Sequence, residues 1–85
     1  MTASNLIHNH RKPTPVLRYI HPPASAAHDP HQFAEWLKEV GIRLLRAGFG
    51  DVQLIPMVKA EDESLFLGME VDDATAHAIR AAVHH

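Results

Sequence analysis

Cysteine is absent from this 85-residue chain, so neither a disulfide framework nor a thiolate-ligated metal can supply its stability. Long apolar runs are missing too: no stretch has the length of a membrane span or the make-up of a secretory leader, which predicts a cytoplasmic protein. Charge of one sign is not in excess. A formal charge of −2 gives no general attraction to nucleic acid or to an anionic membrane. The four glycines, Gly41, Gly48, Gly50 and Gly68, match neither a dinucleotide fingerprint nor a P-loop, which removes the commonest phosphate-binding classes. Against these absences stands an apolar content of 46%, enough for a folded domain but, at this length, for only one modest core.

The clearest element is residues 29–48. Phe33, Trp36, Leu37, Val40, Leu44 and Ala47 recur at the spacing of one helical face. Asp29 is placed to cap that helix, with Pro30 at its first position and Gln32 where a capping box wants it. Gly48 stands at the left-handed C-terminal position, and Arg43 and Arg46 suit the negative end of the helix dipole. Glu39 and Arg43 form an i, i+4 pair worth about 0.3–0.5 kcal/mol. Gly41 falls toward the buried side, where a close approach of another element would explain it. Ile42 lies among the charges of the outer face with Leu45 beside it, out of reach of the core.

Around this helix, residues 15–21 have the β-branched and aromatic content of a short strand between prolines. Their facing is open: Leu17 and Tyr19 inward with Val16, Arg18 and Ile20 outward, or the reverse. The first keeps Arg18 out of the core and is preferred. Residues 22–28 read as a loop. Residues 51–59 alternate, with Val52, Leu54 and Val58 on one face and Gln53, Ile55 and Met57 on the other. Pro56 cannot donate a ladder hydrogen bond, so this strand belongs at an edge or at a bulge. The acidic loop 60–63 leads back through residues 64–71, with Leu65, Leu67, Met69 and Val71 on one face and Phe66, Gly68 and Glu70 on the other. Together they predict an antiparallel hairpin. Asp72 caps a last helix over residues 73–84, whose inner face is Thr75, Ala76, Ile79, Ala82 and Val83.

The order β-α-β-β-α predicts an α+β fold: a small antiparallel sheet with two helices on one face, the ferredoxin-like order lacking its last strand. Residues 1–14 are expected to be a flexible N-terminal arm, and residues 15–85 a single α+β domain.

No constellation carries an enzyme signature, and the chain is expected to be non-catalytic, with no cofactor. Asp73 and His77 sit one helical turn apart, but Ser4, Ser25 and Ser64 lie in contexts unlike any nucleophile elbow. Eight histidines are many for this length, and His8, His10, His28 and His31 could gather as metal ligands in a metal- or ligand-linked regulator. Zinc needs three or four supported ligands, and solvated loop histidines are the simpler reading. The acidic run Glu61-Asp62-Glu63 solubilises a turn and lacks the pattern of a calcium loop.

What one core does not explain is the second face of the sheet. Ile55, Met57 and Phe66, joined by Val16 and Ile20 in the preferred facing, would form an exposed apolar patch of the kind that marks a contact surface. Ile42 is a secondary candidate on the helix. The expected function is therefore a protein-interaction module with a protein partner or a second copy, a homodimer through the apolar sheet face. The alternative is that the arm closes this face through Leu6 and Ile7. A further alternative is single-stranded nucleic-acid binding, in which Arg11, Lys12 and Arg18 would supply charge. The element order, with Tyr19 and Phe66 on the first and third strands, resembles that of an RNA-recognition motif, whose sheet aromatics stack bases. The resemblance stops at the order: residues 64–71 lack the basic residue and multiple aromatics of that motif, and Glu70 shares the face of Phe66. Nucleic acid is thus the less favoured partner.

Overall fold

The computed structural model describes residues 15–84. The elements are β1 (Val16–Ile20), α1 (Ala24–Ala27), α2 (Pro30–Arg46), β2 (Ile55–Val58), β3 (Leu65–Val71) and α3 (Asp73–Val83). The expected arm, and the patch-closing role of Leu6 and Ile7, lie outside these residues. The fold is α+β, with the three strands in the order β1-β3-β2 and both pairings antiparallel. β3 is therefore central, and β1 and β2 run parallel on either side of it. This is the ferredoxin-like arrangement without its fourth strand.

Local chemistry sets the element boundaries. The Asp29 carboxylate accepts from the backbone N–H groups of His31 (2.9 Å) and Gln32 (3.3 Å), satisfying two donors that the first turn of α2 leaves orphaned. At the other end Gly48 adopts φ 90°, the Gly48 N–H bonds to the Leu45 carbonyl (3.2 Å) and the Phe49 N–H to the Leu44 carbonyl (2.8 Å). These two bonds make a Schellman motif, and Phe49 completes it by packing on the core. Asp72 caps α3 by accepting from the Thr75 N–H at 2.7 Å. In the β2–β3 turn, Asp62 accepts from both the N–H and the hydroxyl of Ser64, and Glu63 takes φ 60°.

One cluster forms the core: Ile20 from β1, Phe33, Val40 and Leu44 from α2, Leu67, Met69 and Val71 from β3, and Ala76, Ile79 and Val83 from α3. No polar or charged side chain among the described residues is buried with them. Arg43 ties the two long helices together, donating to the Val83 carbonyl (3.1 Å) at the end of α3 and to Glu39 (3.1 Å) on its own helix.

Several expectations change. Residues 22–28 contain a four-residue helix, α1, closed by the Ala26 N–H on the Pro23 carbonyl, with Ala26 buried. One turn is too short to leave a periodicity in the sequence. β2 begins only at Ile55; Val52 and Leu54 reach the core from the connection before it. Pro56 does lie on an edge strand, while Val58, on the helix side, is exposed at that edge. Gly41 faces open space rather than a neighbouring element, and Ala47, as the C-cap of α2, is exposed.

The facing of β1 is the main correction. Its register sets Val16 opposite Val71, Arg18 opposite Met69 and Ile20 opposite Leu67, so these three share the helix-covered side. Ile20 is 1% exposed and belongs to the core, not to a contact surface. Val16 is partly exposed, but on the same side as Ile20. Arg18 tolerates that side because β1 is at the edge: its stem lies over the sheet and its guanidinium reaches out to Asp73 on α3.

Candidate functional site: the open face of the sheet

The side of the sheet away from the helices is built by alternation. On β3, Phe66, Gly68 and Glu70 point there because Leu65, Leu67, Met69 and Val71 point into the core. The register adds Tyr19 opposite Gly68, Leu17 opposite Glu70, Ile55 opposite Gly68 and Met57 opposite Phe66. Of these strand residues only Glu70 is charged. Leu17, Tyr19 and Ile55 remain about 40% exposed, and Phe66 and Met57 are half-buried by their neighbours.

At the centre of this face is an aromatic cluster. The Tyr19 and Phe66 rings meet edge-to-face, centroids 5.4 Å apart at 75°. His21, just beyond β1, stacks on the other part of Phe66 at 5.6 Å and 17°. Offset and edge-to-face contacts hold such rings in fixed orientations, giving a preformed rather than a loose apolar surface. Gly68 makes the middle of the face shallow. A β-carbon at that position would lie 2.7 Å from the Met57 sulfur and 3.3 Å from a Leu17 methyl, so these two side chains close over the glycine.

Of the sequence-predicted contact residues, Ile55, Met57 and Phe66 come together here, whereas Val16 and Ile20 lie on the opposite side. Ile42 stands alone, 46% exposed on α2 and remote from the strands, with Leu45 near it leaning on Gly50. Leu17, Tyr19 and His21 are not among the expected partner contacts: the preferred facing turns Leu17 and Tyr19 inward, and Tyr19 enters only the nucleic-acid alternative. No local signal corrects this: that β1 ends the described sheet, which lets an inward arginine reach Asp73, is set by the strand order.

The remaining candidates do not assemble. His28 and His31 are exposed beside the start of α2, His8 and His10 lie outside the described residues, and among the described residues no three metal-ligating side chains gather. The Asp73 carboxylate is engaged by Arg18 rather than by His77, and the Ser64 hydroxyl donates to Asp62 in the hairpin turn. A cleft of about 360 Å3 opens where β1 ends, lined by Trp36, Val40 and Val83 with His21, Glu39 and Arg43. Its arginine already bridges Glu39 and the Val83 carbonyl and serves the helix ends.

Two carboxylates carry perturbed acidities, both in structural turns. The Ser64 hydroxyl and N–H hold Asp62 below its usual range, and the Thr75 N–H does the same for the Asp72 cap. No described helix is long and apolar enough to cross a membrane. What the fold defines is an open-faced α+β domain with an aromatic sheet surface; compared with known protein families, curated proteins and solved structures, the chain matches none.

Proposed function

We propose that this chain is a small, non-catalytic protein-interaction module of the cytoplasm, which offers the open face of its sheet to an apolar surface of a protein partner. The observation that carries this reading is the continuity of Leu17, Tyr19, Ile55, Met57 and Phe66 on one side of the sheet that no described element covers. Aromatic residues and methionine are the types that anchor protein contacts, and a contiguous apolar surface costs solubility unless something covers it. The absence of cysteine agrees with a reducing compartment.

The test is Phe66→Glu, which charges the centre of the face without touching the core. The variant should keep the far-ultraviolet spectrum and cooperative melting of the wild type and lose the proteins that the wild type captures from a cell extract. Capture of the same proteins by both would show that the contact lies elsewhere.

A second reading, single-stranded nucleic-acid binding, is favoured by one observation: Tyr19 and Phe66 stand side by side on adjacent strands of an uncovered sheet. Charge opposes it. Glu70 shares that face, and Arg18 is turned to the other side. Titration of single-stranded RNA across a salt series separates the readings, because phosphate contacts weaken steeply with salt; no binding at low salt removes this one.

A further inference from the structure

Among the described residues no strand pairs with the outer edge of β1, and we infer that it is a two-fold pairing edge for a second copy of this chain. The two edges differ in kind. β2 is four residues long, carries Pro56 and leads into an acidic turn, three features that discourage strand addition. β1 has five residues without proline, four of them apolar, with Val16 and Ile20 toward the helices and Leu17 and Tyr19 toward the open face. Apolar residues on both sides are the composition of an interior strand. In a four-stranded sheet of this order β1 would be interior; here it ends the described sheet, and Val16, Leu17 and Tyr19 are left 38–40% exposed.

β1 is also self-complementary. Place an antiparallel second copy so that Arg18 lies on the two-fold axis. Leu17 then faces Tyr19 of the second copy on the open side, and Val16 faces Ile20 of the second copy on the helix side. Every cross-strand pair but one is apolar with apolar, the pairing that stabilises a sheet. The exception, Arg18 against its own copy, is offset by the carboxylate of Asp73 on each side.

Helix α3 supplies the charge complementarity. Both Asp73 and Arg80 reach β1, Asp73 through Arg18 and Arg80 by donating to the Tyr19 carbonyl at 3.2 Å, so this stripe of α3 runs along the free edge. Antiparallel pairing lays the two α3 helices side by side in opposite directions and brings Arg80 of each copy toward Asp73 of the other. The Tyr19 carbonyl exchanges a side-chain donor for a backbone one. The result is a six-stranded sheet in which the two open faces join into one. This pairing uses the edge and does not depend on what the open face binds.

The test exploits the absence of native cysteine: a single introduced thiol reports one position. Opposed residues of an antiparallel pair are close enough for a disulfide, so Arg18→Cys should cross-link two copies under mild oxidation. Phe66→Cys, three strand spacings and about six residues along the strands from its own copy (roughly 24 Å), should not. Sedimentation of the unmodified full chain should give a dimer, and Leu17→Lys should weaken it by at least about tenfold with an unchanged circular dichroism spectrum. The inference is overturned by a wild type that sediments as a monomer, or by a dimer that cross-links through residue 66 and not through residue 18. A monomer that dimerises only after deletion of residues 1–14 would assign the edge to this chain's own N-terminal segment and would overturn it equally.

Discussion

The two sides of β3 put neighbouring residues into opposite environments. Leu67 and Met69 have no exposed surface; they are covered by both long helices and by Ile20. Phe66, next in sequence to Leu67, is half-buried, and among the described residues it meets Tyr19, His21 and the strand of Met57 rather than a helix. Both sides are apolar, so hydrophobicity alone does not distinguish fold from function in this sheet. What distinguishes them is coverage. Apolar residues that the helices cover contribute to folding, and those left uncovered are available for contact without that cost to the core.

Leu67→Ala gives the largest expected effect. Removing a fully buried leucine should cost about 2–5 kcal/mol, a large part of the stability of so small a domain, measured as the midpoint of urea denaturation. A loss under about 1 kcal/mol would break the contrast between the faces. Tyr19→Ala, on the open side, should cost only about 0.5–1.5 kcal/mol, the value of its edge-to-face contact with Phe66, while reducing partner binding more than stability.

The glycines of α2 sharpen the comparison at a smaller scale, because one is required and one is not. Gly48→Ala forces a β-carbon into φ 90° and should destabilise by about 1 kcal/mol. Gly41→Ala meets no atom within 4 Å and should stabilise by up to about 1 kcal/mol through helix propensity, visible as a raised melting temperature. The smallest effects are those of pH. The folded-state pKa values of Asp72 and Asp62 are depressed, so the stability they contribute is present above the ordinary carboxylate range and lost as pH falls below it through the lowered folded values. Asp72→Ala should therefore lower the melting temperature at neutral pH, and the gap from wild type should narrow in acid. A gap that widened in acid would contradict the capping role.

Much of the fold was legible because its signals are local. The Asp29 and Asp72 caps, the Gly48 terminus, the alternation of β3 and the edge position of Pro56 each follow from a few adjacent residues. The open face was legible in part: Ile55, Met57 and Phe66 follow from the hairpin pattern, but Leu17 and Tyr19 do not. In a strand of five residues the two facings differ by a single step, and Arg18 argued for the wrong one because its escape to Asp73 depends on an element 55 residues away. Gly41 misled for a similar reason. A helical wheel gives an angle around the axis but not whether a neighbour stands at that height.

By itself, then, the sequence determined where the two long helices begin and end and which side of β3 and of α2 is apolar. Caps, turns and periodicity act over four or five residues and need no partner to be read. The tertiary structure decided which face of β1 is covered, that Ile20 is core while Tyr19 joins Phe66, and that β3 stands between β1 and β2. Each of these depends on register and on where the helices lie, and register is set by pairing between residues some fifty positions apart, which no local pattern records.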